Sequence, residues 1–287
     1  TNINGGTIDA ADEIKFDISG GLQSDNVIDM GKTGTPQVFC NKITNPTEGT
    51  ITNISGASFA SNFTFDVTNG ALVIPSDANI KFHNLIVENN VDASIGGSFP
   101  AAQLLGDLEI KTGGTFDNAG FTLDVTGDII HAGDGCTLSG ATTSNNFTQS
   151  GSGDLIQSAA LTLTGNYVNS SSATQTALLT VGGDFTNSGT QSAGANIDIS
   201  GDFTNNGIFT QNTNKVILTG GSAQTIGGTT TTDFYDLEIN NSSGGVSLTN
   251  DINIVELGTL ALNSGTLTTT GQTLTLKSSA VGTARIG

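Results

Sequence analysis

From Leu161 the chain reads LTLTGNYVNSSS, from Leu179 LTVGGDFTNSGT and from Ile197 IDISGDFTNNGI, which puts the glycine of each Gly-(Asp/Asn)-aromatic step at Gly165, Gly183 and Gly201, 18 residues apart. Within each unit apolar and polar residues alternate, the period of a strand rather than of a helix. A fixed step of this length is too short for a pair of helices and suits one winding of a β-solenoid. The register extends upstream through Gly106, Gly127 and Asn145, with spacings of 21, 18 and 20 before the two steps of 18.

Counting from the step assigns each side chain a direction. The positions four and two residues before it read Ala102 and Leu104, Leu123 and Val125, Ala141 and Thr143, Leu161 and Leu163, Leu179 and Val181, Ile197 and Ile199. All but Thr143 are apolar, so this set is expected to face inward, and the intervening Asp124, Thr142, Thr162, Thr180 and Asp198 to face water. Two residues past the step stand Leu108, Ile129, Phe147, Tyr167, Phe185 and Phe203. With coils about 4.8 Å apart, the four aromatic rings are expected to stack into a core ladder. Two residues further, Gln149, Asn169, Asn187 and Asn205 form an amide column at the turn, expected to bond from coil to coil and hold the register.

These patterns predict an all-β fold, a right-handed parallel β-helix, with the hand taken from the usual chirality of parallel connections. Dividing the chain by about 19 residues per coil gives about 15 coils and a rod of roughly 70 Å. With 39 Gly, 4 Pro and no Trp, the composition supplies a long thin core and little helix-forming material. One continuous domain is expected over residues 1–287, most regular over 102–210. Pro36 and Pro46 make 31–49 an irregular, loop-bearing coil, because proline breaks a ladder. The shorter repeats beginning at Leu260, Leu267 and Leu274 point to smaller or differently shaped coils.

The formal charge of -18, from 26 acidic and 8 basic residues, bears on partners. Lysines are scattered singly, which disfavours nucleic acid and anionic membrane surfaces. No apolar run is long enough to span a bilayer. The opening TNINGGTIDA has neither a basic start nor an apolar run, so a mature or internal part of a soluble or exported protein is expected. Cys40 and Cys136 lie about five coils apart, far beyond the roughly 7 Å that a disulfide bridges, and are expected to be free and buried.

The carboxylates at stacked positions are Asp107 with Asp128 and Asp184 with Asp202, each immediately after the step. Asn146 and Asn166 hold the same place in other coils, which favours a turn residue bonding its own backbone. A bridging calcium ion is the alternative, and an acidic catalytic pair a further one. The two histidines are His83 and His131; His131 follows a strand in GDIIHAGDG with Asp134 close by and reads as a solvated turn residue. No calcium β-roll repeat, phosphate-cradling loop, zinc-spaced Cys/His set or nucleophile elbow is met, and neither a catalytic residue nor a cofactor site is assigned. Outward threonine rows raise the possibility of ordering water against ice, but Asp124 and Asp198 interrupt them.

Resemblance adds to this reading in the last third. GSAQTIGG, FYDLEINNS, GTLALNSGTL and GQTLTLKSSA, within Lys215 to Gly287, resemble a module of very large surface and secreted proteins of the Bacteroidota, adhesins exported by the type IX route among them. GDFTNSGT and GDFTNNGI resemble coils of filamentous-haemagglutinin-type adhesins, which are right-handed parallel β-helices. The resemblance implies an extracellular stalk or repeat segment of an adhesin or fibre, without enzymatic activity. The expected partners are other segments of the same long chain or, because the ends of a solenoid expose strand edges, identical subunits stacked end to end, with surface glycans a further expectation. A filament subunit and a β-helical polysaccharide-binding or polysaccharide-degrading protein are the competing expectations.

Overall fold

The computed structural model describes residues 14–16, 40–45, 62–67, 70–74, 82 and 84–287. These residues contain no helix, and every pairing between their named strands is parallel. Three sheets form the walls of a solenoid. The first face has thirteen strands from Ile14–Phe16 to Leu267–Thr268, the second has eight from Gly70–Ile74 to Ile208–Thr210, and the third has ten in line from Phe99–Leu104 to Leu274–Leu276, with Arg285–Ile286 as an eleventh beside Ile252–Ser264. One coil visits them in turn, as Phe185–Asn187, Thr190–Ala193 and Ile197–Ile199.

Each strand is short because its burial alternates. Leu179, Val181, Ile197 and Ile199 are buried and the residues between them are not, so three or four residues make one side of the coil before a Ser-, Gly- or Asn-rich corner turns the chain. The inward columns merge into one core cluster running from Ile74 to Ala284. Stacking is the only way such thin coils bury their apolar edges, so each depends on its neighbours.

The number of coils is smaller than a 19-residue step implies. From Asn84 onward the first face holds ten strands, one per coil. Steps of 18 are confined to the centre: Leu85 pairs with Leu108 and Leu108 with Ile129, steps of 23 and 21, and Phe203 pairs with Ile226, a step of 23. For the 204 residues from Asn84 onward a 19-residue step implies about eleven coils, which the longer steps at both ends reduce to about ten; the expected fifteen was a figure for all 287 residues. The repeats at Leu260, Leu267 and Leu274 are not small coils; they are successive strands within the last windings.

Two coils depart from the assigned directions: Gln103, between Ala102 and Leu104 and so expected to face water, is buried in a strand whose register shifts to pair Leu123 with Phe99, and the coil of Asn145 is reversed. Thr142 and Ser144 are buried, whereas Ala141 and Thr143 point outward. Thr142 pairs with Leu161 while the step residue Asn145 bonds Gly165, so this coil spans three residues where its successor spans four. The missing residue shifts the phase by one and flips every side chain. Inward Thr142 is held by the Asn118 amide at 3.1 Å and by its own bond to the Gly140 carbonyl at 3.0 Å. The outward row is therefore Asp124, Thr143, Thr162, Thr180 and Asp198.

Of the irregular stretch 31–49, only the strand Cys40–Asn45 lies among the described residues, and His83 and the Cys40 side chain lie outside them.

Candidate functional site

The chemistry-bearing side chains of this chain are arranged in columns along the rod rather than gathered in one place. On the first face, Phe147, Tyr167, Phe185 and Phe203 are buried, and successive rings stack at 5.5, 5.1 and 5.1 Å with interplanar angles of 15°, 9° and 5°. The spacing follows from the ladder beneath: Phe147 pairs with Tyr167, Tyr167 with Phe185 and Phe185 with Phe203. Phe209 closes the column edge-on to Phe203, centroids 5.4 Å apart. The Tyr167 hydroxyl donates to Gln191 Oε1 at 2.9 Å inside the core, and burial pushes its ionisation well above the usual phenol range.

Two residues on, the amides divide. Asn169 Nδ2 donates to Asn187 Oδ1 at 3.0 Å, and Asn187 Nδ2 to Asn205 Oδ1 at 2.8 Å. Each spare amide hydrogen is used at the next corner, by the Thr190 and Ile208 carbonyls. Asn205 ends the run on Thr232 Oγ1. Gln149, one carbon longer, bypasses Asn169 and bonds the Gly153 and Ser172 carbonyls at 2.5 and 3.0 Å. A second set of buried amides, on the second face, has no counterpart in the sequence reading. Gln157 and Gln175 each donate to corner carbonyls of their own coil and of the next. Asn118 donates only to the next coil, to the Gly140 carbonyl and the Thr142 hydroxyl, and also accepts from the Ser139 and Gly140 amides. Their signal was available, since each falls in the inward phase of an alternating run.

The carboxylates after the step form a third column. Asp107 Oδ1 accepts the Asp128 amide at 2.8 Å, Asp128 the Asn146 amide at 3.0 Å, Asn146 the Asn166 amide at 2.7 Å and Asn166 the Asp184 amide at 2.7 Å. Asp184 then accepts from Asp202 at 2.8 Å and Asp202 from Thr225 at 2.7 Å, while Asn84 begins the series with the Asp107 amide at 2.8 Å. The expected bond of each turn residue to its own backbone is thus replaced by one to the backbone of the next coil. Because the acceptor lies over the following step, a Cβ at Gly127, Gly165, Gly183 or Gly201 would fall inside the side chain of Asp107, Asn146, Asn166 or Asp184. That is the physical origin of the Gly-(Asp/Asn) pair: glycine leaves the space that the neighbouring side chain occupies.

One oxygen of each carboxylate is accordingly committed to a backbone amide, and Asn serves equally, as a bond to an N–H requires and a cation site does not. Among the described residues no group of three or more His, Cys, Asp or Glu is placed to hold a metal ion.

His131 corrects the sequence reading. It ends the strand Ile129–His131, pairs with Ile110 and Gln149, and is fully buried instead of solvated. Neither ring nitrogen has a hydrogen-bond partner, and burial lowers its pKa to about 4 despite the nearby Asp134 and Asp154. Cys136 is a free thiol in the inward column between Phe116 and Leu155, pushed up to about 12 by burial. A thiol held so far from its thiolate is a poor nucleophile.

Outside the columns, Lys215 and Lys277 form the surface ion pairs of the C-terminal coils. Lys215 Nζ lies 2.8 Å from Glu238, which also accepts from Asn263 at 2.8 Å, and Lys277 Nζ lies 2.8 Å from Asp233. The Glu238 hydrogen bond holds the lysine above its ordinary range, and the same bond holds the glutamate below its own. No protein-family model, curated protein or solved structure matches this chain.

Proposed function

We propose that this chain is a structural stalk: a repeat segment of an exported bacterial cell-surface adhesin or extracellular fibre that holds another part of the assembly at a distance. The observation that carries the reading is the unbroken series of seven side-chain-to-backbone bonds from Asn84 to Thr225, running along the rod beside the ring and amide columns. Every bond joins one coil to the next, so axial load is shared between backbone ladders and side chains. A rod of this kind works by stiffness and length, not by turnover. The acidic surface favours solubility and keeps neighbouring rods apart, and the words shared with Bacteroidota surface proteins support an extracellular setting.

Single-molecule pulling between the chain ends tests the mechanical reading. The expected record is a series of discrete extensions, each the length of one released coil, with the highest forces in the centre. A smooth low-force extension without steps would sink the stalk. Antibody labelling of intact cells expressing the parent protein tests the location, and a strictly internal signal would remove the surface assignment.

A further inference from the structure

The columns that hold the centre together do not tell one coil from the next. Tyr167, Phe185 and Phe203 follow one another in the ring column, Asn169, Asn187 and Asn205 in the amide column, and Leu161, Leu179 and Ile197 on the third face. Were residues 179–196 left out of the rod, Ile197 would pair with Leu161, Phe203 with Tyr167 and Asn205 with Asn169, each a like residue in place of a like one. Skipping 161–178 would likewise set Phe185 on Phe147. A skipped winding forfeits its own burial, so it is a folding trap and not a rival ground state, and escape requires unpairing the coils laid down after it.

The second face is different. Its inward column reads Phe116, Cys136, Leu155, Ala173, Gln191 and Phe209, all buried and no two neighbours alike. Gln191 Oε1 accepts the Tyr167 hydroxyl at 2.9 Å, a bond from one coil to the next, and Phe209 lies edge-on to Phe185 and Phe203 at 6.3 and 5.4 Å. Tyr167 carries the one hydroxyl in the column of stacked rings, and Gln191 the one amide in its own column. Omission of 179–196 would bring Phe209 to the place of Gln191 and leave the hydroxyl buried without an acceptor. Omission of 161–178 would seat Gln191 on Leu155, with Phe147 in place of Tyr167. As a source of stability the pair is poor, because Gln191 Nε2 is buried with no partner, which offsets what one hydrogen bond returns.

We propose that Tyr167 and Gln191 form a registration key, a buried polar pair that selects the correct order of windings among near-identical coils while the chain folds. Wrong orders leave one of its two members unpaired inside the rod, whereas the ring, amide and third-face columns accept them.

Refolding of the 287-residue chain from urea by rapid dilution, followed by brief proteinase K digestion and mass spectrometry, provides the test, since a skipped winding leaves a long loop open to cleavage. Tyr167→Phe combined with Gln191→Leu should raise the fraction cut within 161–178 or 179–196 about tenfold. The uncut molecules of this double variant should have a urea midpoint no lower than that of the unaltered chain. Val181→Ala, which thins the third face but keeps the pair, should lower the midpoint without adding such cuts. A double variant with the cleavage pattern of the unaltered chain, failure of that variant to form a resistant rod, a lowered midpoint in its uncut molecules, or the same added cuts in Val181→Ala would each overturn the key. None of these results bears on the stalk reading, which concerns the finished rod.

Discussion

The coils between Gly127 and Gly207 and those from Lys215 onward solve one problem in two ways. The centre has three faces and mostly 18-residue steps, so the same residue type recurs at the same place and side chains stack on their own kind. Beyond Lys215 the second face has ended, and two long strands, Thr232–Asn240 and Ile252–Ser264, sweep around the corner with register shifts and a left-handed Leu257, φ 67°. No ring or amide ladder of the central kind forms there. Apolar contact and the Lys215–Glu238 and Lys277–Asp233 pairs take its place. Parallel pairing alone is thus enough to stack coils, while ring and amide ladders require in addition the same residue type at paired positions of successive coils.

Four measurements would break or sharpen this contrast. The largest effect is expected from Phe185→Ala, which removes a ring stacked on both sides and should cost about 3–5 kcal/mol. Leu276→Ala, at the half-open last coil, should cost under about 1 kcal/mol. Local unfolding free energies from hydrogen exchange are the appropriate readout, since long repeat arrays need not unfold in one step. Equal costs would mean that the two regions are packed alike.

Acid should act at the upstream border of the centre. His131 charges near pH 6.5 in the unfolded chain but only near 4 in the fold, so the unfolded state binds more protons between those values. Stability present at pH 7 therefore falls as pH drops below about 6.5, and the loss is complete near 4, amounting to about 3 kcal/mol. His131→Asn, which matches the neighbouring amide column, should flatten that part of the profile. Urea midpoints of both proteins at neutral and acid pH decide it, and parallel profiles would show that other groups carry the acid response.

Smaller effects separate the amide and carboxylate columns from the surface pairs. Asn187→Ala removes the bond from Asn169 Nδ2 and the bond to Asn205 Oδ1, leaving these atoms only the Thr190 carbonyl and the Gly207 amide, and should cost about 2 kcal/mol. Asp184→Ala should cost about 1 kcal/mol, while Asp184→Asn, which keeps the acceptor, should stay within about 0.5 kcal/mol. A calcium-dependent rise in melting temperature that is abolished in Asp184→Asn would replace the backbone role by a cation role. Lys215→Ala, on a half-buried surface pair, should cost about 1 kcal/mol in thermal melts.

How much of this was legible depended on whether a residue announced its direction by being greasy. Phe147, Tyr167, Phe185 and Phe203 did, and so did the strands on either side of Gly165, Gly183 and Gly201. In the coil of Thr142 the alternation is Ala, Thr, Thr, Ser, with no strong apolar phase, and a one-residue contraction before Asn145 passed unseen. His131, Gln157 and Gln175 hold the inward phase of alternating strands, but a polar side chain there does not announce itself as core, and the corner carbonyls that accept from Gln157 and Gln175 come into place only with the stacked coils. The partners of Asp107, Asp128, Asp184 and Asp202 lie 18 to 23 residues away, so a bond to the neighbouring coil could be read only once the coils were in register.

The Gly-(Asp/Asn) step also makes the molecule editable in whole units. Excising residues 184–201 would join Gly183 directly to Asp202, restoring the sequence Gly-Asp-Phe-Thr-Asn at the seam, with Asn166 above and Thr225 below. The shortened chain would lose one winding, about 4.8 Å of length, and no type of contact except the Tyr167–Gln191 bond. Duplication of the same segment would add as much. Gain or loss of such a cassette by recombination within the gene would reset the length of the rod without redesigning its interior.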